Sequence, residues 1–348
     1  FGSSRYFLAQ AVSEITSNDT YRLNMAKRAR TSESESFAEW VAFCESADGD
    51  VPLSFALHIA EDLFIPTFLK YHEQISSGRM DVEFKGPTDL VTEADKSIED
   101  QIMTAIKTRF PTHSFLAEES ASDNQRLTEE PTWIIDPIDG TSNFVHGLPA
   151  VALSLAFARG GELKIGIVCC PILGEMGIAI KGKGAWLKTS RWNKTTIRRM
   201  HVSMCSEIGS ALVAYGFSTA NVSQLRPGVK GHSAAALARF RQEADDVERN
   251  VNSIFRNARD IRRFGSAATD LLYLALGRLD AYHEFCIKEW DIAAGVLLVQ
   301  EAGGVVTCVD GIAPVKLHGR RIVAAATAAL AKQLGDLLQA KHSDMPAK

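Results

Sequence analysis

The sequence predicts an α+β fold built of layered helices and antiparallel strands. Two observations carry this. Helical-period and strand-like runs succeed one another without regular βαβ alternation. One stretch, residues 150–187, reads as a meander of antiparallel strands joined by glycine-containing turns. No internal repeat is present, which sets solenoid architectures aside.

From "FAEWVAFCES" to "FLKYHEQI" apolar residues recur at helical spacing, giving one or two amphipathic helices that Pro66 bends or breaks. "KSIEDQIMTAIKTRF" is a further amphipathic helix, closed by Pro111. "SFLAEES" reads as a short strand ending in acids, and "TWIIDP" as another, stopped by Pro137. The stretch "AVALSLAFARGGELKIGIVCCPILGEMGIAIKGKGAWL" gives three strands, with turns at "RGGE" and "ILGE". "ALVAYGF" is a strand. "SAAALARFRQEADDVERNVNSIFRNA" is a heavily charged helix. "AATDLLYLALG" is a helix closed by Gly277. "DAYHEF" is a strand, and "DIAAGVLLVQEAGG" a helix with Asp291 at its start. "GVVTCV" is a late strand and "AATAALAKQLGDLLQA" the last helix.

The 348 residues suffice for a substantial core, and 46% hydrophobic with 23% charged residues is ordinary for a globular protein. A formal net charge of −4 argues against a general nucleic-acid binder. No apolar run approaches the roughly 20 residues that span a bilayer, so a cytoplasmic protein without a membrane partner is expected. The cysteines are Cys44, Cys169, Cys170, Cys205, Cys286 and Cys308, none in a C-x-x-C pair. They read as reduced, mostly buried thiols in a reducing compartment, not as a zinc site. Residues 1–38 read as a flexible polar tail containing "KRAR", with no signal-peptide core and with Met25 as a possible natural start. Residues 39–345 read as one catalytic module, with lobes of about 39–200 and 201–345. The segment 218–232 reads as a linker-like loop within it.

The acids with positional meaning are Asp89, Glu93, Asp95, Glu118, Glu119, Asp136, Asp139, Glu284 and Asp291. Clustered carboxylates repel one another unless protons or cations neutralise them. With no histidine or cysteine at ligand spacing, the oxygen-rich choice is Mg²⁺ or Mn²⁺. Asp136 and Asp139 stand out, because Pro137 fixes the backbone between them and an apolar strand precedes them. Gly140, Thr141 and Ser142 follow with free amides and hydroxyls. A helix beginning there would favour an anion. Carboxylate-held metals beside such amides suit metal-assisted hydrolysis of a phosphate ester.

The order of "DLVTEAD" (89–95), "LAEES" (116–120), "WIIDPIDGTSNFVHGLP" (133–149), "GSAATDLLYLALGRLDAYHE" (265–284) and "WDIAAGVLLVQEAGG" (290–304) resembles the inositol monophosphatases, within the lithium-sensitive, magnesium-dependent phosphatase superfamily. The resemblance covers roughly residues 40–340. It implies an αβαβα layered sandwich and a homodimer. It implies that Glu118, Asp136 and the Ile138 carbonyl hold one Mg²⁺, that Asp136, Asp139 and Asp291 hold a second, and that Glu118 assists a third, weaker ion. It further implies that Thr141, backed by Asp95, orients the attacking water and that the Gly140 and Thr141 amides hold the phosphate. Gly265, Ser266, Ala267, Glu284 and Asp291 would then hold the hydroxyls of a small phosphorylated polyol, and lithium would inhibit. Glu284 suits a polyol, because an ionised carboxylate accepts what hydroxyls donate. Lys85 stands where a basic residue often occurs. Ser142 and Ser266 keep the hydroxyl of the commoner threonine, and 218–258 is longer than in short members. The residues leave open a different small phosphate (a sugar phosphate, histidinol phosphate, a 3′-phosphonucleotide, NADP or fructose bisphosphate). They also leave open an interaction module on the same fold.

Overall fold

The computed structural model describes residues 37, 40–42, 51–77, 82–84, 90–122, 125–192, 194–217, 223–226, 229 and 231–338. Residues 37 and 40–42 are helical and belong to a separate unit, Phe1–Phe43. All that follows concerns the unit Cys44–Lys348. The expected tail apart from residue 37, Lys85, Asp89 and most of 218–232 lie outside the described residues.

From Leu53 to Ser76 the first helical run is continuous. Helix α1 (Leu53–His58) passes through a π-helical turn, Ile59–Phe64, into α2 (Ile65–Ser76). Pro66 was expected to bend or break this run. It sits instead in the first turn of α2, just after the π turn. Widening the bonding pattern from i−4 to i−5 lets the chain carry a residue that has no N–H to give. A two-stranded antiparallel sheet, β1 (Val82–Phe84) with β2 (Leu90–Thr92), leads into α3 (Glu93–Arg109). Helix α3 buries Ile98, Ile102 and Ile106 at helical spacing.

A seven-stranded sheet follows, ordered β3-β4-β5-β6-β7-β8-β9. Strand β3 is Ser114–Ala117 and β4 is Thr132–Asp139. These two run parallel, and every later neighbour is antiparallel. The meander has five strands rather than three: β5 (Ala152–Arg159), β6 (Glu162–Cys170), β7 (Glu175–Ile180), β8 (Gly184–Arg191) and β9 (Lys194–Arg199). Strand β9 is almost wholly exposed, so the buried alternation that marks a strand is missing from "KTTIRR". Nor does β4 stop at Pro137. Pairing with β5 shifts between Asp136 and Asp139, and the proline sits in this irregularity, where no ladder N–H is needed.

Beyond the short α4 (Thr141–Val145), the C-terminal half builds a five-stranded sheet ordered β11-β10-β12-β14-β13. Its strands are β10 (Leu212–Phe217), β11 (Asp260–Arg262), β12 (Ala281–Phe285), β13 (Val305–Thr307) and β14 (Arg321–Ala325). Helices α5 (Ala234–Asn257), α6 (Ala267–Ala275), α7 (Glu289–Glu301) and α8 (Ala328–Leu337) complete the chain. Of these elements, β11 and β14 were not anticipated.

The layers follow from which faces are apolar. Helices α6 and α7 are apolar nearly all round, so both their faces must be covered. One core joins them to the large sheet through Ile134, Ala156 and Val168, and to the small sheet through Tyr282, Ile322 and Ala324. A second core packs the other face of the small sheet, through Val213, Ala281 and Val323, on Ile254 of α5 and Leu330 and Leu334 of α8. With α1–α3 on the far side of the large sheet, this is the expected αβαβα sandwich. Of the five described cysteines, Cys169 and Cys170 are buried, while Cys205, Cys286 and Cys308 are partly exposed; all are free thiols. Among the described residues no helix is long and apolar enough to cross a membrane.

Candidate active site

The bulged end of β4, the start of α4, the start of α6 and the start of α7 converge on one open pocket of about 190 Å³. Glu118, Asp136, Ile138, Asp139, Gly140, Thr141, Gly265, Ser266, Ala267, Glu284 and Asp291 all line it. Asp95 stands behind, with Oδ1 accepting from the Thr141 hydroxyl at 3.3 Å. Every predicted site residue is therefore in or beside one cavity. The other described acids that the sequence singled out, Glu93 and Glu119, do not line it. Glu93 is exposed at the head of α3, and Glu119 meets Glu99 through its amide.

Local bonds fix each carboxylate. Asp136 Oδ1 accepts from the Ile138 amide at 3.0 Å, within the β4 bulge. Asp139 Oδ2 accepts from Ser266 Oγ at 2.7 Å and from the Ala268 amide at 2.6 Å, which ties β4 to the start of α6. Asp291 Oδ2 accepts from the Lys288 amide at 2.8 Å across the first turn of α7. Ser266 also accepts from the Thr269 amide, so its hydroxyl serves Asp139 and the helix cap. Gly140 has φ +92, and a Cβ there would lie 2.9 Å from the Ala150 carbonyl oxygen. Only glycine accepts both conditions.

Electrostatics set these acids apart from solvated ones. Burial first, then the charges of Glu118, Asp139 and Asp291, push Asp136 well above the usual carboxylate range. Burial and the Asp139 charge do the same to Asp291. Asp139 is raised to about 6 by burial, against its hydrogen bonds from Ser266 and Ala268. Asp136 shares side-chain hydrogen bonds with Glu118 and with Asp291. Among the described residues no three acids, histidines or cysteines are already disposed around a cation. The donor set nonetheless fits Mg²⁺ or Mn²⁺. It is oxygen-only, and its acids repel one another enough to hold protons between them. Closing on a cation requires them to exchange those mutual bonds for ligation.

The far end of the pocket is built on the small sheet. Gly216 of β10 lies opposite Glu284 of β12. A Cβ at Gly216 would come within 2.0 Å of the Glu284 carboxylate, so that side chain occupies the space glycine leaves. The Tyr282 hydroxyl donates to Glu284 Oε2. Burial raises Glu284 to about 7, with the Tyr282 bond opposing. Asn143 of α4 donates to the carbonyls of Ala150 and Phe264, each at 2.7 Å, and so holds the 264–265 turn against the site.

Gly216, Phe217, Arg263 and Asp270 also line the pocket and were missed in the sequence. Asp270 carried a weak signal, as the acid in the first turn of α6. It is fully buried, and burial followed by the Glu284 and Asp139 charges raises it well above the carboxylate range. Gly216 and Phe217 carried none, since the pairing of β10 with β12 brings them to the site, whereas Arg263 arrives with the adjoining Gly265.

A sequence model of the Inositol monophosphatase family matches residues 61–343. "Inositol monophosphatase 3" of Solanum lycopersicum is 38% identical over 246 residues, covering 70% of this chain and 82% of that protein. Among solved structures, the extragenic suppressor protein suhB from Bartonella henselae superposes with a TM-score of 0.66 at 27% identity, covering 83% of this chain and 98% of that one. A dual specific IMPase/NADP phosphatase bound with D-inositol-1-phosphate superposes with a TM-score of 0.59 at 25% identity, covering 79% and 91%.

Proposed function

Because this chain belongs to the inositol monophosphatase family, and with it is a phosphoric monoester hydrolase, we propose that its substrate is inositol monophosphate and its cofactor Mg²⁺. The observation that carries this is the convergence of Glu118, Asp136, Asp139 and Asp291 with Gly140, Thr141 and Glu284 around one pocket. The solved relative bound with D-inositol-1-phosphate supports the same substrate.

Glu118, Asp136, the Ile138 carbonyl, Asp139 and Asp291 would hold the cations. Bound there, divalent ions neutralise phosphate oxygens and lower the pKa of a water nucleophile. The chain's own groups do the positioning. Thr141 Oγ1 lies 3.3 Å from Asp95 Oδ1 and 3.2 Å from the Ile138 carbonyl. Its one proton goes to an acceptor behind it, so its lone pairs face a water and fix that water's orientation. The Gly140 and Thr141 amides receive the phosphate. Glu284, Asp291 and the Gly265–Ala267 backbone receive the hydroxyls. Ser266 contributes main chain to this set, because its hydroxyl is committed to Asp139.

The module is proposed to span 39–345 in two lobes and to act as a cytoplasmic homodimer, with 1–38 outside it. Removal of residues 1–24 should leave turnover unchanged, and light scattering should report a dimer. The deciding experiment is phosphate release with Mg²⁺ from inositol 1-phosphate, fructose 1,6-bisphosphate, 3′-phosphoadenosine 5′-phosphate, NADP and histidinol phosphate. Preference for inositol 1-phosphate, abolished by chelator and suppressed by millimolar lithium, is the expected result. Metal-dependent release from another member would overturn the substrate. Release unaffected by chelator would overturn the cofactor.

A further inference from the structure

The adjacent cysteines Cys169 and Cys170 have no part in the proposed reaction. Successive strand residues point to opposite faces, and Cys170, the last residue of β6, belongs to the core around α6. Its Sγ lies 3.8 Å from Thr269 Oγ1. Thr269 Oγ1 lies 2.7 Å from Ser266 Oγ, and Ser266 Oγ lies 2.7 Å from Asp139 Oδ2. A row of four side chains thus runs from the large sheet through the start of α6 to the end of β4. All four are buried, Thr269 and Cys170 completely.

The direction of the row follows from counting hydrogens. Ser266 has one hydroxyl hydrogen, and Asp139 Oδ2 accepts it. The bond between the two hydroxyls must then take its hydrogen from Thr269, which leaves Thr269 Oγ1 to accept from the Cys170 thiol. Ser266 Oγ also accepts from the Thr269 amide at 3.3 Å, so both its lone pairs are used. Run the other way, the row would end on a sulfur, a weak acceptor, and would take a donor from Asp139. Burial pushes the Cys170 thiol up to about 12, so its hydrogen stays in place. In so dry a site, aligned hydrogen bonds polarise one another, by roughly 10–30% per bond.

We propose that Thr269, with Cys170 behind it, is a positioning residue for Asp139: it turns the Ser266 hydrogen onto the carboxylate and so holds that group in the orientation that takes a cation. The inference rests on the reading of Asp139 as a cation ligand. Neither Thr269 nor Cys170 lines the pocket, so both act through Ser266.

The test is a calorimetric titration of the full chain with Mg²⁺ alone, without substrate, beside the melting temperature in chelator. Thr269→Val keeps the branched shape but leaves Ser266 without its hydroxyl donor. It should weaken Mg²⁺ binding about tenfold, as loss of a partner behind a metal ligand commonly does. Thr269→Ser keeps the hydroxyl and should bind within about twofold of the wild type. Cys170→Ala, which removes only the last member, should weaken binding about two- to threefold. A lower melting temperature in Thr269→Val with Mg²⁺ binding unchanged would make Thr269 merely structural and overturn the inference. A loss in Thr269→Ser as large as in Thr269→Val would do the same. Should Thr269→Val not fold, Cys170→Ala decides, and unchanged binding there overturns the inference. If all variants bind Mg²⁺ as the wild type does, this inference falls and the cofactor reading stands. If the wild type takes up no Mg²⁺, both fall.

Discussion

The two ends of the pocket are held by different means. At the inner end, Asp136, Asp139 and Asp291 each accept from main-chain amides of the strand or helix that presents them or packs beside them. At the outer end, Glu284 takes a single side-chain bond from Tyr282. Moving an inner carboxylate means moving β4 or α7, which run through the main core. Moving an outer group means turning one side chain. On the proposed reading, the chemistry of phosphorus sits where the fold permits least movement. On the same reading, choice among substrates sits where it permits more.

Breaking the inner end should have the largest effect. Asp136→Asn removes the acid shared between both proposed cation positions. Turnover should fall by about a thousandfold or more, while the melting temperature in chelator is kept or raised, since a crowded buried acid is gone. Turnover near the wild-type level would show that the cluster is not the reacting end. Gly140→Ala should come next, forcing a Cβ against the Ala150 carbonyl at φ +92. A loss in kcat of about ten- to a hundredfold, together with about 1–3 kcal/mol of stability, is expected. Unchanged kinetics would mean that the 140–141 backbone does not hold the phosphate.

The outer end should respond in KM. Glu284→Gln keeps an acceptor but adds a donor toward Tyr282, so KM for inositol 1-phosphate should rise about tenfold with kcat within a few-fold. Tyr282→Phe should act in the same direction and less. A fall in kcat without a change in KM would move Glu284 into the reacting end and dissolve the distinction.

Much of the inner end was legible in the sequence. Asp136, Asp139 and Asp291 sit at the end of an apolar strand and the start of an apolar helix, positions that linear pattern marks well. The outer end was not. Gly216 meets Glu284 only because β10 and β12 pair across 68 residues of chain, and no local spacing encodes that. The same holds for elements. The buried strands β5 to β7 were read from their runs, whereas exposed β9 was lost. Both prolines were overread. At Pro66 a π turn, and at Pro137 a bulge, absorbed the missing N–H that sequence reasoning took for a stop.

The smallest expected effect is one of pH, and it separates the two ends without disabling either. Burial holds Asp139 at about 6 and Glu284 at about 7, against 3.8 and 4.5 as ordinary values. Between those limits the folded chain keeps protons that the unfolded chain has released. Stability from these groups is therefore full below about 4 and is lost as pH rises through about 7. In chelator the melting temperature should fall by several degrees over that window. With Mg²⁺ the gap between the two curves should widen as pH rises, because the cation binds the ionised inner carboxylates. Glu284→Gln should remove the upper part of the fall in chelator, from about 4.5 to 7, and leave the Mg²⁺-dependent widening intact. If the substitution abolished that widening, cation binding would extend to the outer end. If the chelator curve were flat, the acids of both ends would be ionised and solvated in the folded protein, and the rigid, crowded inner cluster would lose its physical basis.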